Sequence, residues 1–534
     1  MPDNAEIKAT KSAPAEKPAD KRARIDTSGS DHTRGLGINP WYLSDEFTTA
    51  YRKAFTEKSL DSPTFSIKQA EEQADEQGDK QGEGIIVASP FHTGKLRSIL
   101  PKEFLHGLKQ ELVELNWHER LNDLYWFHQT DDLALNGKRH IKALRDYLSG
   151  EEFVGFMEKI TGTELARGYL DLAAQRYKKG NHLLCHDDDV NRGKMTRKVA
   201  YIIYLVDEQW SEEDGGALGL FDSDENQYPT KVVSHIVPEF NSIGFFLTGM
   251  VSYHTVQEVT VADHERERWS VTGWFYGPAT EDNTTDENRL PPLPSSVLPQ
   301  VLPLESSVDA MDDKTEWSKW INPDYLGAAV QVQVQDTFME QSSVELRDFL
   351  RPEVFQSALE CLDQCFWDSA DIKGPAHLRS YLEKHSLAAD TAIARLAAFL
   401  RSASFGRFLA SVTSLDLAEA SQQMRRFNKG HYTLIHDQAL EPAGLDATLS
   451  LQPPVPRDDP HAEWDESWGG ATHYIADKDE LLRISPESNS LSLVLRDEGT
   501  LRFVKYLNHM APRDIQEIAM VFIEKQSEND QEDE

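Results

Sequence analysis

Four segments of this chain recur, in the same order, about 250 residues further on. LRSILPKEF at Leu96 matches LRDFLRPEVF at Leu346, and FVGFMEKITGTEL at Phe153 matches FGRFLASVTSLDL at Phe405. RYKKGNHLLCHDD at Arg176 matches RFNKGHYTLIHDQ at Arg426, and DGGALGLFDSDE at Asp214 matches WGGATHYIADKDE at Trp468. Matches repeated in order are hard to produce by chance, so whatever the first half folds into, the second half is built to fold into as well. The length of 534 residues agrees, because it exceeds what one ordinary core accommodates and favours two domains, with three as the upper alternative.

Each copy begins with helical periodicity, as at 102–116 and 140–161, where apolar residues return every three or four positions. Strand-like runs follow: KVAYIIYLV at 198–206, NSIGFFLTGMVSYHTVQEV from Asn241, and RWSVTGWFYG from Arg268, with Gly215 and Gly216 at a turn. Helices followed by a block of strands predict an α+β domain with a β-sandwich or jelly-roll core. The expected division is a disordered basic tail (1–35), a first domain (36–278), an acidic proline-rich linker (279–315), a second domain (316–525) and an acidic tail (526–534). The low-complexity run 68–84 is expected to be a surface loop or insertion.

No window approaches the ~18 consecutive apolar residues of a membrane span, and the N-terminus lacks the apolar stretch of a secretory signal. Cys185, Cys361 and Cys365 are too few for a disulfide framework and fit a reducing compartment; the last two, four apart, are expected as core thiols. A net charge of −35 opposes binding to bare nucleic acid and suits a basic protein partner, although solubility alone also accounts for it. Against that acidity, Lys8, Lys11, Lys17, Lys21, Arg22 and Arg24 stand out as a candidate nuclear import signal, with an ordinary charged tail as the competing reading. The expected location is therefore nucleus and cytoplasm.

The first copy carries His186-Asp187-Asp188 after a strand-like run, and His254 lies 68 residues later. Two imidazoles and one carboxylate make the facial triad of non-haem iron(II) oxygenases. On an extended strand His186 and Asp188 point the same way, which favours Asp188 over Asp187 as the ligand. Arg268, on the next candidate strand, offers the fork that matches a 2-oxo acid's distal carboxylate, with Ser270 on its face. The second copy keeps His436 and Asp437 but has Gln438 in place of the second acid. Its second-histidine position falls near Arg502 and Phe503, and Arg513 is the candidate counterpart of Arg268. The second domain is accordingly expected to hold no metal, and His431 and His473 are expected to be surface or turn histidines.

His-x-Asp, a distant His and Arg-x-Ser on the following strand resemble the iron(II)- and 2-oxoglutarate-dependent dioxygenases. The wording RYKKGNHLLCHDD, YLV, SYHTV and SVTGWFYGP is more specific. Over 38–525 it resembles the prolyl 3-hydroxylases of the ribosomal decoding-centre protein, a family that includes fungal oxygen-sensing hydroxylases. The resemblance implies two tandem double-stranded β-helix (jelly-roll) domains with flanking helices, only the first of them catalytic. It implies Fe(2+) on His186, Asp188 and His254, with 2-oxoglutarate and O2 as co-substrates and ascorbate in support. It assigns the 2-oxoglutarate carboxylate to Arg268, helped by Tyr204 and Tyr177, for which core packing is the competing reading. It implies hydroxylation at C3 of a prolyl residue in a small-subunit ribosomal protein, no membrane, and a candidate oxygen-sensing role in translation or transcription. Two alternatives stand beside this: an oxygenase acting on nucleic acid or a small molecule, and a regulatory module whose second domain binds a partner protein.

Overall fold

The computed structural model describes residues 36–57, 62–70, 81–189, 191–192, 195–279, 299–305, 313–369, 377–378, 380–382, 387–435, 442–453, 464–476 and 479–525. Both tails, the middle of the 68–84 run, most of the linker, and His436, Asp437 and Gln438 lie outside the described residues.

Four helices precede the site: α1 (Asp45–Thr56), α2 (Lys102–Val113), α3 (Arg139–Leu148) and α4 (Glu151–Thr161). Ser44 caps α1 by accepting from the Phe47 N–H at 3.2 Å, and Phe47, Tyr51 and Phe55 then recur at helical spacing and are buried. The segment 140–161, expected as one helix, is two; Ser149 ends the first and Gly150 is the N-cap of the second. The helix α1 lies outside the expected helices, although its Ser44 cap and the spacing of Phe47, Tyr51, Ala54 and Phe55 mark it.

The strands of the first half are β1 (Thr64–Lys68), β2 (Glu83–Val87), β3 (Thr93–Arg97), β4 (Trp117–Leu121), β5 (Tyr125–Thr130), β6 (Ala173–Tyr177), β7 (His182–His186), β8 (Asn191–Arg192), β9 (Met195–Tyr204), β10 (Leu218–Ser223), β11 (Pro229–Ile236), β12 (Ser242–Leu247), β13 (His254–Val256) and β14 (Arg268–Pro278). They form one antiparallel sheet in the order β1-β2-β3-β12-β9-β14-β6-β5-β7-β13-β10-β11, with β4 on β5 and β8 on β9. The sheet folds over at β5, which pairs with β6 through His128 and Gln129 and with β7 through Tyr125 and Trp126. Two leaves result, as in a jelly roll.

Alternation along the strands explains where the core and the site sit. On β9, Val199, Tyr201 and Ile203 face the helices in the main core, while Ala200 and Ile202 face the space between the leaves. On β14, Trp269, Val271 and Phe275 join the helical core, and Thr272 and Trp274 face inward.

The second half has its own core, built from helices Pro352–Gln364, Ala392–Leu400 and Ala403–Thr413 against a separate sheet. That sheet contains, in order, Ser343–Leu346, Ser488–Arg496, Gly444–Leu451, Ile515–Glu524 and Leu417–Phe427. A further three-stranded sheet holds Asp479–Ile484, Thr472–Ala476 and Leu501–Val504. Cys361 and Cys365 are free thiols, half-buried against this core. Among the described residues no helix is long and apolar enough to cross a membrane.

Candidate active site

The two leaves enclose a cavity of about 260 Å³. His186 ends β7 and His254 opens β13, paired directly across the ladder. A bulge between them and the Leu183–Val256 pair turns both Leu183 and His186 toward the cavity. Asp188 lies two residues beyond the end of β7 and reaches back into the same space, as the one-residue separation predicted.

The three side chains converge. Their ligand-capable atoms lie within 4.8 Å of one another, and they form the one such group among the described residues. His254 Nε2 is 3.4 Å from Asp188 Oδ2, and His186 Nε2 is 3.9 Å from Asp188 Oδ1. Each imidazole faces a backbone carbonyl through Nδ1: His186 to Leu184 at 2.8 Å, His254 to Ser252 at 2.9 Å. With the proton on Nδ1, those bonds fix the ring orientation and leave both Nε2 atoms as free donors toward a cation.

Electrostatics agree. Burial, and the neighbouring His254, push the His186 pKa down to about 4. Burial works against an ionised Asp188, but the two imidazoles outweigh it and hold the carboxyl well below the usual range. Burial likewise opposes a charged His254, yet the adjacent Asp188 carboxylate raises it. The group thus presents an anion at Asp188 and a neutral imidazole at His186, while His254 holds its proton more tightly and would give it up to a bound cation; with that proton displaced, the donor set fits iron(II).

Arg268, on β14, is 1% exposed. Its guanidinium carbon sits 5.1 Å from the Tyr177 ring centroid and 5.1 Å from that of Tyr204, a cation held between two aromatic faces. Nε donates to the Gly216 carbonyl at 2.6 Å and Nη1 to Ser270 Oγ at 3.4 Å. Nη2 and the Tyr204 hydroxyl are buried with no hydrogen-bond partner. Orphaned buried donors of this kind are costly, and a carboxylate would satisfy them. All six residues expected from the sequence therefore gather around one inward face, which Gln175 and Thr272 continue into the cavity.

Chain comparisons place this geometry among known proteins. Residues 172–276 match the model of the 2OG-Fe(II) oxygenase superfamily, and residues 312–530 match that of the oxoglutarate and iron-dependent oxygenase degradation C-terminal domain. The chain is 32% identical over 487 residues to the mouse prolyl 3-hydroxylase OGFOD1, covering 77% of this chain and 83% of the relative. It is 34% identical over 464 residues to the Xenopus laevis prolyl 3-hydroxylase OGFOD1 (79% and 84%). It is 28% identical over 519 residues to the Drosophila melanogaster prolyl 3-hydroxylase sudestada1 (90% and 89%). The chain belongs to this prolyl 3-hydroxylase family.

Several features of this family member were not anticipated. Gly216 was read only as a turn; it has φ +68°, and a Cβ there would lie 2.6 Å from Arg268 Cδ. The hairpin β4–β5, outside the expected strands, supplies Arg120, Leu124, Tyr125, Phe127 and Gln129 to the cavity wall; the Asn122-Asp123 turn before the aromatic run is the signal that marks it. Two expectations about the second half need correction. Arg268 pairs with Tyr177 across β14 and β6; at the matching place in the second half, Phe427 pairs with Ile515, so Arg513 is not the counterpart of Arg268. His473 is neither on the surface nor in a turn: it is buried in a strand, stacked on Phe503 and bonded to Glu480 at 2.7 Å.

Proposed function

We propose that this chain is an iron(II)- and 2-oxoglutarate-dependent dioxygenase that hydroxylates C3 of a prolyl residue in a small-subunit ribosomal protein. The observation that carries the reading is the buried Arg268 edge and Tyr204 hydroxyl, left without partners beside a His186–Asp188–His254 group. His186, Asp188 and His254 would hold the metal, and Arg268, Ser270 and Tyr204 the distal carboxylate of 2-oxoglutarate. When bound, iron(II) with 2-oxoglutarate and O2 supplies the oxidation that places one oxygen atom in a substrate C–H bond and the other in succinate. The chain's own residues orient and exclude. Leu183, Phe246, Val256 and Trp274 keep the cavity largely apolar, and the Nδ1 bonds of the two histidines fix their rings before any ligand arrives.

The second half is, in this reading, a degenerate copy of the same jelly roll, residues 316–525 following the linker 279–315. Its strand order repeats β3-β12-β9-β14-β6, and its three-stranded sheet repeats β11-β10-β13. Asn241 and Asn489, both at positive φ, pin the same register by bonding to Leu100 and Leu350 through both amide atoms. From that register Arg502 stands where His254 does, each opposite the same strand position (Tyr474 and Leu220). Ile515 stands for Arg268, Ser450 for Tyr204 and Asp446 for Ala200. Such a copy suits a packing or partner-binding role. Residence in nucleus and cytoplasm, and oxygen sensing through the need for O2, are proposed on the basic N-terminal tract and on the co-substrate.

The test incubates purified protein with iron(II), 2-oxoglutarate, ascorbate and a proline-containing decoding-centre peptide. Expected are stoichiometric succinate and a peptide gain of one oxygen atom on proline. Peptide-independent succinate alone would reject the substrate, and no succinate at all would reject the dioxygenase reading.

A further inference from the structure

The two halves meet on the outer side of the strand that carries His186. On β7, His182 and Leu184 face away from the cavity and are buried by the second half. Leu184 packs with Leu124, Tyr432, Leu434 and Tyr506, and the Tyr506 ring lies 4.1 Å from His182, centroid to centroid. The contact extends to the turn of the β4–β5 hairpin. The Ile435 N–H donates to Asp123 Oδ2 at 3.1 Å. Lys505 Nζ donates to the carbonyls of Asn122 and, at 3.2 Å, Tyr125. On the far side Glu258 accepts from the Tyr506 hydroxyl at 3.2 Å and from the His509 N–H at 3.0 Å.

Lys505 is the unusual member. It is 6% exposed, and the bonds its ammonium makes here go to turn carbonyls of the other half. Burying a cation is unfavourable compared with an apolar side chain of the same length, and burial lowers its pKa to about 7 although the Asp123 and Glu119 carboxylates pull it back up. Neither half needs this lysine for its own core. What the contact does accomplish is to fix the turn of a hairpin whose Arg120, Leu124, Tyr125, Phe127 and Gln129 form one wall of the catalytic cavity. In the sheet the hairpin is held along β5 alone, since β4 pairs with no other strand, and its side-chain packing lies at the base, where Trp117 meets Trp269 at 5.0 Å; the turn end is what the second half secures.

We propose that the second half acts as a positioning element for substrate: Lys505, with Ile435 and Tyr506, holds the β4–β5 hairpin against the cavity and so sets the affinity for a proline-containing peptide. Lys505 touches no reacting atom; it works through the hairpin. The metal group comes from β13 and the end of β7, and the Arg268 pocket from β6, β9 and β14; its one hairpin neighbour, Phe127 stacked on Tyr177 at 5.0 Å, lies in mid-strand, away from the turn that Lys505 holds. The inference rests on the prolyl hydroxylase reading for its substrate, but the coupling itself is testable without one.

The full-length Lys505→Met variant keeps the stem and removes the donors; Asp123→Ala loosens the same turn from the hairpin side should the first variant fold poorly. Amide hydrogen exchange is measured over 117–130 with and without 2-oxoglutarate and manganese(II). Expected is faster exchange confined to that hairpin, a peptide KM raised about tenfold (1.4 kcal/mol by the tenfold constant), and unchanged 2-oxoglutarate KM and peptide-independent turnover. Unchanged exchange over the hairpin in a folded variant overturns the proposal, as does a rise in 2-oxoglutarate KM matching that of the peptide. If wild type hydroxylates no peptide, the functional reading fails while the exchange result still decides the coupling.

Discussion

Replacing Arg268 by lysine retains the charge and removes the fork. In the structure the guanidinium divides its duties: Nε is committed to the Gly216 carbonyl at 2.6 Å, Nη1 reaches Ser270 Oγ, and Nη2 is the buried edge left for a ligand. A single ammonium cannot satisfy Gly216 and also present a planar pair of donors to a carboxylate. One charge-assisted hydrogen bond is worth about 1.5–3 kcal/mol, and the remaining one loses its alignment, so the expected loss is ~3 kcal/mol. At 1.4 kcal/mol per tenfold, the Kd for 2-oxoglutarate should rise on the order of 100-fold. The stacking between Tyr177 and Tyr204 favours the same sign, because a guanidinium plane fits that slot better than a tetrahedral ammonium. The assay is 2-oxoglutarate titration with manganese(II) in place of iron, so that no turnover intervenes, followed by Trp fluorescence from Trp274 in the cavity wall. Metal affinity measured without 2-oxoglutarate should stay at the wild-type value. A Kd within threefold of wild type would refute the assignment, and so would parallel loss of metal and 2-oxoglutarate binding.

Three further outcomes are expected. His254→Ala should abolish stoichiometric metal binding, read as metal content after dialysis, while the circular dichroism spectrum stays native; retained metal at wild-type affinity would exclude His254 as a ligand. Asp446→Ala removes the carboxylate that Arg496 Nε meets at 3.1 Å and Arg502 Nη1 at 3.0 Å, all three side chains being buried. Breaking a buried ion pair costs ~3–5 kcal/mol, and at roughly 2–4 °C per kcal/mol the melting temperature should fall by about 10 °C, with 2-oxoglutarate affinity unchanged; a fall under about 2 °C contradicts this. Lys505 titrates near 7 in the fold and near 10.4 unfolded, so above pH 7 the unfolded chain holds more protons and wild-type stability should gain up to ~1.4 kcal/mol per pH unit from this group until about pH 10; urea midpoints at pH 7 and 9 should separate wild type from Lys505→Met, and an equal change in both disproves the contribution.

What could be read from the sequence was local. The run 198–206 is so continuously apolar, β-branched and aromatic that its strand was evident, and the placement of Asp188 beside His186 agrees with their one-residue separation. Arg268 and Ser270 share a face for the same period-two reason. What could not be read depends on pairing between distant segments. The β7 bulge is defined by a partner 68 residues away, and the β4–β5 hairpin becomes a cavity wall only because β5 bridges β6 and β7. The expectation for Arg513 failed because it followed residue type, an arginine in the same region; the ladder to Phe427 sets the position, and it selects Ile515.

On the proposed reading of the second half as a degenerate copy, its interior is what a jelly roll without ligands would require. The space between the leaves stays polar in part, and each buried group there must be met by another. At the place proposed to correspond to Ala200 the second half has Asp446, which takes up the charge of Arg502 on Leu501–Val504 and of Arg496 on the neighbouring strand. Where the first has Gln175 and Ser270, the second has Arg425 and Glu517, bonded to each other at 2.7 Å. These are not single losses that would leave holes; they are compensating sets that supply from the protein the charges a metal and a dicarboxylate would have supplied. Replacing such buried pairs by apolar residues is often neutral or stabilising, so stability alone does not account for keeping them. The retained value lies on the outside of the copy, where Leu434, Lys505 and Tyr506 meet β7 and the hairpin. A half that offers its interior to itself and its edge to the hairpin of the other stands, in the proposed reading, behind that site's wall as its support.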